Sequence, residues 1–90
     1  NFMTASDWYL KAAQADNPNA QFLLGLSYKE GSGVPRDPLE SYKWIFLAAE
    51  SGNTQHIAAR QQLERTYSPT MITEGRRRAD QFRMYQGVNN

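Results

Sequence analysis

Apolar residues along this chain recur at helical intervals rather than in strict alternation. Ala5, Trp8, Tyr9, Ala12 and Ala13 follow the i, i+3, i+4 rhythm of one helical face. They predict a first helix over about Thr4–Ala15. Asn17-Pro18 then ends one helix and opens the next, because proline fits the first helical position and asparagine is a good N-cap. Ala20, Leu23, Leu24 and Tyr28 supply the inward stripe of a second helix, Pro18–Lys29. Gly25 inside it disfavours a helix by about 1 kcal/mol relative to alanine, which close approach of a partner helix would offset.

The turn Gly31-Ser32-Gly33-Val34 brings backbone freedom, and Asp37-Pro38-Leu39-Glu40 starts a third helix. Asp37 is its cap and Glu40 stands where a capping box places its acid. That helix runs over about Pro38–Ser51 and stops at Gly52. Asn53 caps a fourth, Thr54–Thr66. Ser68-Pro69 announces a fifth, with Met71, Ile72, Gly75, Ala79 and Phe82 on its apolar stripe. The last residues, Gln86 to Asn90, have nothing to pack against and are expected to fray.

The pattern repeats at 36 residues: Trp8 falls on Trp44, Ala12 on Ala48, Ala13 on Ala49, Asp16 on Gly52. Residues 1–16 are thus the second half of a repeat, 17–52 a full one, and 53–90 a diverged repeat with a terminal cap. The divergence is visible where Leu24, Gly25 and Tyr28 map onto Arg60, Gln61 and Glu64. Trp8 and Trp44, at equivalent positions, are both expected in the core. The predicted fold is all-α: five helices in antiparallel pairs stacked as a short α/α solenoid.

The spacing Ala20-x3-Leu24-Gly25-x2-Tyr28, Gly31-x-Gly33-Val34-x2-Asp37, Trp44-x3-Ala48-Ala49-x2-Gly52 resembles a Sel1-like repeat, one of the tetratricopeptide-like solenoids. Ser41 departs from the pattern, where alanine is usual, and so does His56. Ala59, Arg60 and Leu63 through Ser68-Pro69, Ile72, Gly75 and Ala79 resemble, more loosely, the closing helices of such proteins. The resemblance implies a non-catalytic scaffold for protein–protein interaction, of a type found in bacterial signalling, envelope and secretion systems. A terminal stabilising or targeting domain of a larger enzyme or secreted effector is the alternative. It also implies a concave partner-binding face made by the outward positions of each first helix. Here these are Asn19, Phe22, Leu26 and Lys29, and one period on, Gln55, Ala58, Gln62 and Arg65. Phe22 and Leu26 would be apolar anchors for a protein or peptide partner, with Lys29 and Arg65 at the rim. The edge at Phe2, Met3, Trp8 and Tyr9, with no first helix to cover it, suggests a longer array or self-association.

Composition narrows the chemistry. With no cysteine and one histidine, neither a thiol site nor a histidine cluster can form, and members of the family linked to β-lactam chemistry are cysteine-rich. Gly31 to Pro35 lacks the Lys-Ser/Thr of a phosphate loop, and Glu30, Asp37 and Glu40 lack calcium-loop spacing. His56 reads as a first-turn residue, exposed or beside Trp44. No catalytic residue, metal or cofactor is expected. Residues 56–90 hold six arginines against three acids, too small an excess to argue for nucleic acid. Arg76, Arg77 and Arg78 spread over about 200° of a helix and read as a solvated face pairing with Glu74 and Asp80. No apolar run is long enough to span a membrane. The sequence leaves the compartment open between periplasmic or secreted and cytoplasmic.

Overall fold

The computed structural model describes residues 5–89, with side chains through Gly87. The chain forms α1 (Ala5–Gln14), α2 (Pro18–Glu30), α3 (Pro38–Ala49), α4 (Thr54–Thr66) and α5 (Pro69–Asn89). There is no strand among the described residues. The boundaries follow from side-chain caps. Asn17 accepts from the Ala20 amide at 3.0 Å, and Asn53 accepts from the Gln55 and His56 amides at 2.8 and 3.2 Å. Asp37 accepts from the Leu39 and Glu40 amides at 3.1 and 3.2 Å, and the Ser68 hydroxyl from the Met71 amide at 3.3 Å. Each satisfies backbone donors that the first turn of a helix leaves unpaired. The capping box expected of Glu40 is not made. Its carboxylate goes to Lys43 and Arg78, and the Asp37 amide donates instead to the Tyr28 carbonyl at 2.9 Å.

Helix α3 is the axis of the molecule. Ser41, Tyr42, Trp44, Ile45, Leu47, Ala48 and Ala49 are all buried, so it is covered on nearly every side. Trp44 and Leu47 join Ala13, Ala20, Leu24 and Ala79 in one cluster, while Tyr42 and Ile45 join Leu63 in a second. Two glycines set how closely its neighbours lie. A Cβ on Gly25 would stand 2.5 Å from Ile45 Cγ1 and 3.1 Å from the Ser41 carbonyl oxygen. A Cβ on Gly75 would run into the Tyr42 ring, so α5 crosses α3 backbone to side chain. Gly25 thus trades helix propensity for the approach of α2 to α3.

Three expectations change. Trp8 is 58% exposed although its repeat equivalent Trp44 is 2% exposed. The reason is that α5 lies over Trp44, with Phe82 against its ring, whereas no described helix covers Trp8. Phe2 and Met3, expected at the same edge, lie outside the described residues. On α2, Leu23 is 39% exposed and Gln21 is wholly buried in its place on the inner face. The amide of Gln21 donates to the Ala13 carbonyl and to Asp16 Oδ1, both at 3.2 Å, which satisfies its donors in the interior. The end of the chain does not fray at Gln86. Helix α5 continues to Asn89, and the Gln86 amide donates to the Gln14 carbonyl at 2.9 Å. Just before it, Arg83 bridges Asp16 at 2.6 Å and Glu50 at 3.0 Å.

Asp16 also stands out in the backbone. It has φ +69°, and Gly52, one period later, has φ +89°. The left-handed turn that glycine takes freely is here held by an aspartate, whose carboxylate is fixed by Gln21 and Arg83.

Ser41, the departure from the alanine of the repeat pattern, is fully buried, and its hydroxyl finds no hydrogen-bond partner among the described residues. A buried unpaired hydroxyl costs about 1–3 kcal/mol of desolvation. Ser41→Ala is therefore expected to raise the melting temperature, by an amount equivalent to about 1 kcal/mol, in a thermal scan by circular dichroism. A lower melting temperature would show that the hydroxyl has found a partner.

Candidate interaction surface

Helices α2 and α4 both pack against α3 or its cluster, and both keep an outer arc that α3 does not cover. On α2 this arc holds Asn19 and Lys29, both exposed, and Phe22 and Leu26, both half-buried. On α4 it holds Gln55, Ala58, Gln62 and Arg65, all exposed. The two halves meet through Phe22. Its ring stacks on the His56 imidazole with centroids 4.4 Å apart and planes 22° from parallel. His56 is only 3% exposed, and its Nδ1 lies 3.3 Å from the Ala48 carbonyl oxygen. The histidine thus lies against Phe22 and the end of α3 instead of against Trp44. Phe22 and Leu26 also pack on the Tyr42, Ile45 and Leu63 cluster, so each has one apolar side inward and one toward the surface.

Leu23 belongs to this surface too. It follows Asn19 by four residues and precedes Leu26 by three, which places the three on one helical stripe. The same spacing was available in the sequence. The inward stripe of Ala20, Leu23, Leu24 and Tyr28 competes with it for Leu23, which lies between the two faces.

Electrostatics differ between the centre and the rim. Lys29 and Arg65 make no ion pair with any described residue, whereas Glu64, next to Arg65 in the chain, is heavily engaged. It accepts from the Tyr42 hydroxyl at 2.6 Å and pairs with Arg76 at 3.4 Å and Arg60 at 3.6 Å. Burial, followed by the hydrogen bond to Glu64, pushes the Tyr42 hydroxyl up from 10.0 to about 12, although the Arg76 contact pulls the other way. The folded state then keeps this proton at pH values where the unfolded chain has released it. The stabilisation is complete below pH 10 and is lost as pH rises toward about 12. Burial, with Glu40 and Asp37 nearby, also raises the Tyr28 hydroxyl. In an alkaline titration followed by tyrosinate absorbance, the last step, near pH 12, should belong to Tyr42, and Tyr42→Phe should abolish it. A last step that survives Tyr42→Phe would contradict the Tyr42–Glu64 bond.

The arginine run divides as its angular spread predicts. Glu74 takes Arg77 at 2.7 Å and Arg78 at 3.2 Å, and the Arg77 and Arg78 hydrogen bonds hold its carboxyl at about 2. Arg78 also reaches Glu40 at 2.9 Å and Arg76 reaches Glu64, so both tie α5 to its neighbours. Asp80, the other expected partner, makes no ion pair with a described residue. Among the described residues no three histidine, cysteine, aspartate or glutamate side chains gather as a metal site. No helix among them is long and apolar enough to cross a membrane.

Comparison with known proteins bears on this arrangement directly. The Sel1 repeat family model matches residues 3–17 and again 18–53, more than half of the chain. The chain belongs to the Sel1 repeat family. The second match spans α2 and α3, the pair held together at Gly25. The Sel1 repeat is also what relates the chain to the chitin synthase regulator SKT5 of Saccharomyces cerevisiae, 44% identical over 53 residues. That alignment covers 59% of this chain, which spans only 8% of the length of the yeast protein.

Proposed function

We propose that this chain is a non-catalytic module that holds a protein or peptide partner on the outer face of α2 and α4. Sel1 repeats are protein-interaction modules, and the observation that carries this placement is the composition of that face. Phe22 and Leu26 keep a partly open apolar surface at its centre, continued by exposed Leu23. Asn19, Gln55 and Gln62 surround it with exposed amides, and Lys29 and Arg65 bring unpaired cations to the rim. An apolar centre with a polar rim is the usual anatomy of a protein interface.

The yeast relative is named as a regulator of an enzyme, which favours a module that acts inside a longer chain by holding another protein. The alternative, a terminal stabilising or targeting domain of a larger enzyme or effector, uses the same surface for a different end. The matching relative is eukaryotic, and a bacterial setting rests on the family resemblance alone.

The test uses two substitutions at exposed positions, Leu23→Glu and Arg65→Glu. Proteins captured by the 90-residue chain are compared with those captured by each variant. A partner recovered by the parent and reduced about tenfold by each variant, with melting unchanged, supports the reading. Recovery indifferent to both variants removes it.

A second mode is favoured by exposed Trp8. We propose that the open side of α1 pairs with a second copy. Light scattering across a concentration series should show mass rising toward a dimer, and Trp8→Ser should suppress the rise. A monomer at every concentration ends this reading.

A further inference from the structure

On the side of the molecule away from α2 and α4, helix α5 lies across α3 and leaves two adjoining hollows. One, of about 670 Å³, lies between the end of α1, α3 and the last turns of α5. The other, of about 520 Å³, continues along α3 and α5 toward Glu74. Lys43, Phe82 and Tyr85 line both, so they form the saddle between them. These volumes fall in the range of ligand sites, about 300–1,000 Å³.

The charges around the saddle are unevenly paired. Lys43, Arg77 and Arg78 share two carboxylates, Glu40 and Glu74, in one network. Each arginine holds a carboxylate at 2.7–2.9 Å, and Lys43 keeps a 3.4 Å contact with the other oxygen of the Glu40 that Arg78 holds at 2.9 Å. Lys43 is therefore the least closely paired cation of the network. Its side chain is only 16% exposed. The ammonium lies 4.3 Å from the centre of the Trp44 ring and 5.9 Å from that of Phe82, which fix its position without neutralising it. A largely desolvated ammonium with unused donors, at the junction of two hollows and beside exposed aromatic surface, fits a carboxylate attached to a flat apolar group. At the far end of the larger hollow, Asp16 and Glu50 share Arg83 at 2.6 and 3.0 Å, so that end is acidic and the ligand carboxylate is directed to the Lys43 end.

We propose that this saddle is a second docking site, for a peptide segment of a partner protein in which an acidic side chain stands next to an aromatic one. The carboxylate takes the free donors of Lys43 and the ring lies against Phe82 and Tyr85. Tyr85, 70% exposed, then becomes covered. No residue of α2 or α4 lines either hollow, so the site is distinct from the α2–α4 face.

The probe is a peptide capped at both ends with phenylalanine beside aspartate, compared with its asparagine counterpart. Each is titrated into the isotope-labelled chain and followed by amide shifts in NMR. The aspartate peptide should move the amides of Lys43, Phe82, Tyr85 and Gln86, and the asparagine peptide should bind about tenfold more weakly. Lys43→Met, which keeps an apolar stem over Trp44, should remove that preference. Tyr85→Ala, at a position 70% exposed, should weaken both peptides, with an unchanged melting temperature showing that the fold is intact. Equal binding of the two peptides, shifts confined to α2 and α4, or no shift at all would each overturn the proposal.

Discussion

Trp44→Ala should cost this domain about 3–5 kcal/mol, the range for a buried aromatic replaced by alanine. The indole is 2% exposed and meets the Phe82 ring edge-on, with centroids 5.2 Å apart and planes at 71°. It sits in the cluster that joins α1, α2, α3 and α5, so the cavity would open where four helices meet. For a domain of this size, each kcal/mol moves the melting temperature by about 4–8 °C, and the loss should amount to roughly 15–30 °C. Trp8→Ala is the internal control. It alters the same residue at the same repeat position, yet at 58% exposure the loss should stay under about 1 kcal/mol. Equal melting shifts for the two variants would sink the assignment of Trp44 as the keystone of the core.

Gly25→Val should cost about 3 kcal/mol, at the upper end of what over-packing produces. Even the Cβ would stand 2.5 Å from Ile45 Cγ1, which can move, and 3.1 Å from the Ser41 carbonyl oxygen, which belongs to the α3 backbone and cannot. Two more methyl groups force α2 away from α3. Gly87→Ala shows the opposite sign. Nothing lies within 4 Å of a Cβ there, and Gly87 lies inside α5, so helix propensity alone should yield a gain of up to about 1 kcal/mol. The urea midpoint measures both. A Gly25→Val variant as stable as the parent would mean that the two helices are not in close contact.

Much of the architecture was legible because it is written in local chemistry. Four caps, three prolines at helix starts and a 36-residue period locate the helices, and Gly25 marks the close approach of α2 to α3. What could not be read was set by partners distant in the chain. Trp8 repeats Trp44 in sequence, but burial depends on what lies opposite, and only Trp44 has α5 over it. Gln21, not Leu23, is buried on the inner face of α2 because the Ala13 carbonyl and the Asp16 carboxylate offer an amide something that a leucine cannot use. The outward stripe of α2 and α4 was recoverable from the period. The Lys43 saddle was not, since it exists only where the last helix crosses the third.

The reach of α5 back to α1 alters how the chain comes apart. In a linear array each repeat touches only its neighbours, and unfolding can proceed from one end, unit by unit. Here Arg83 and Gln86 contact Asp16 and Gln14 across 67 and 72 residues of sequence. The end of α1 and the turn after it are thereby tied to the last turns of α5, so loosening either one gives up contacts made by the other. Closing so long a loop is costly in chain entropy, and these contacts offset part of that cost.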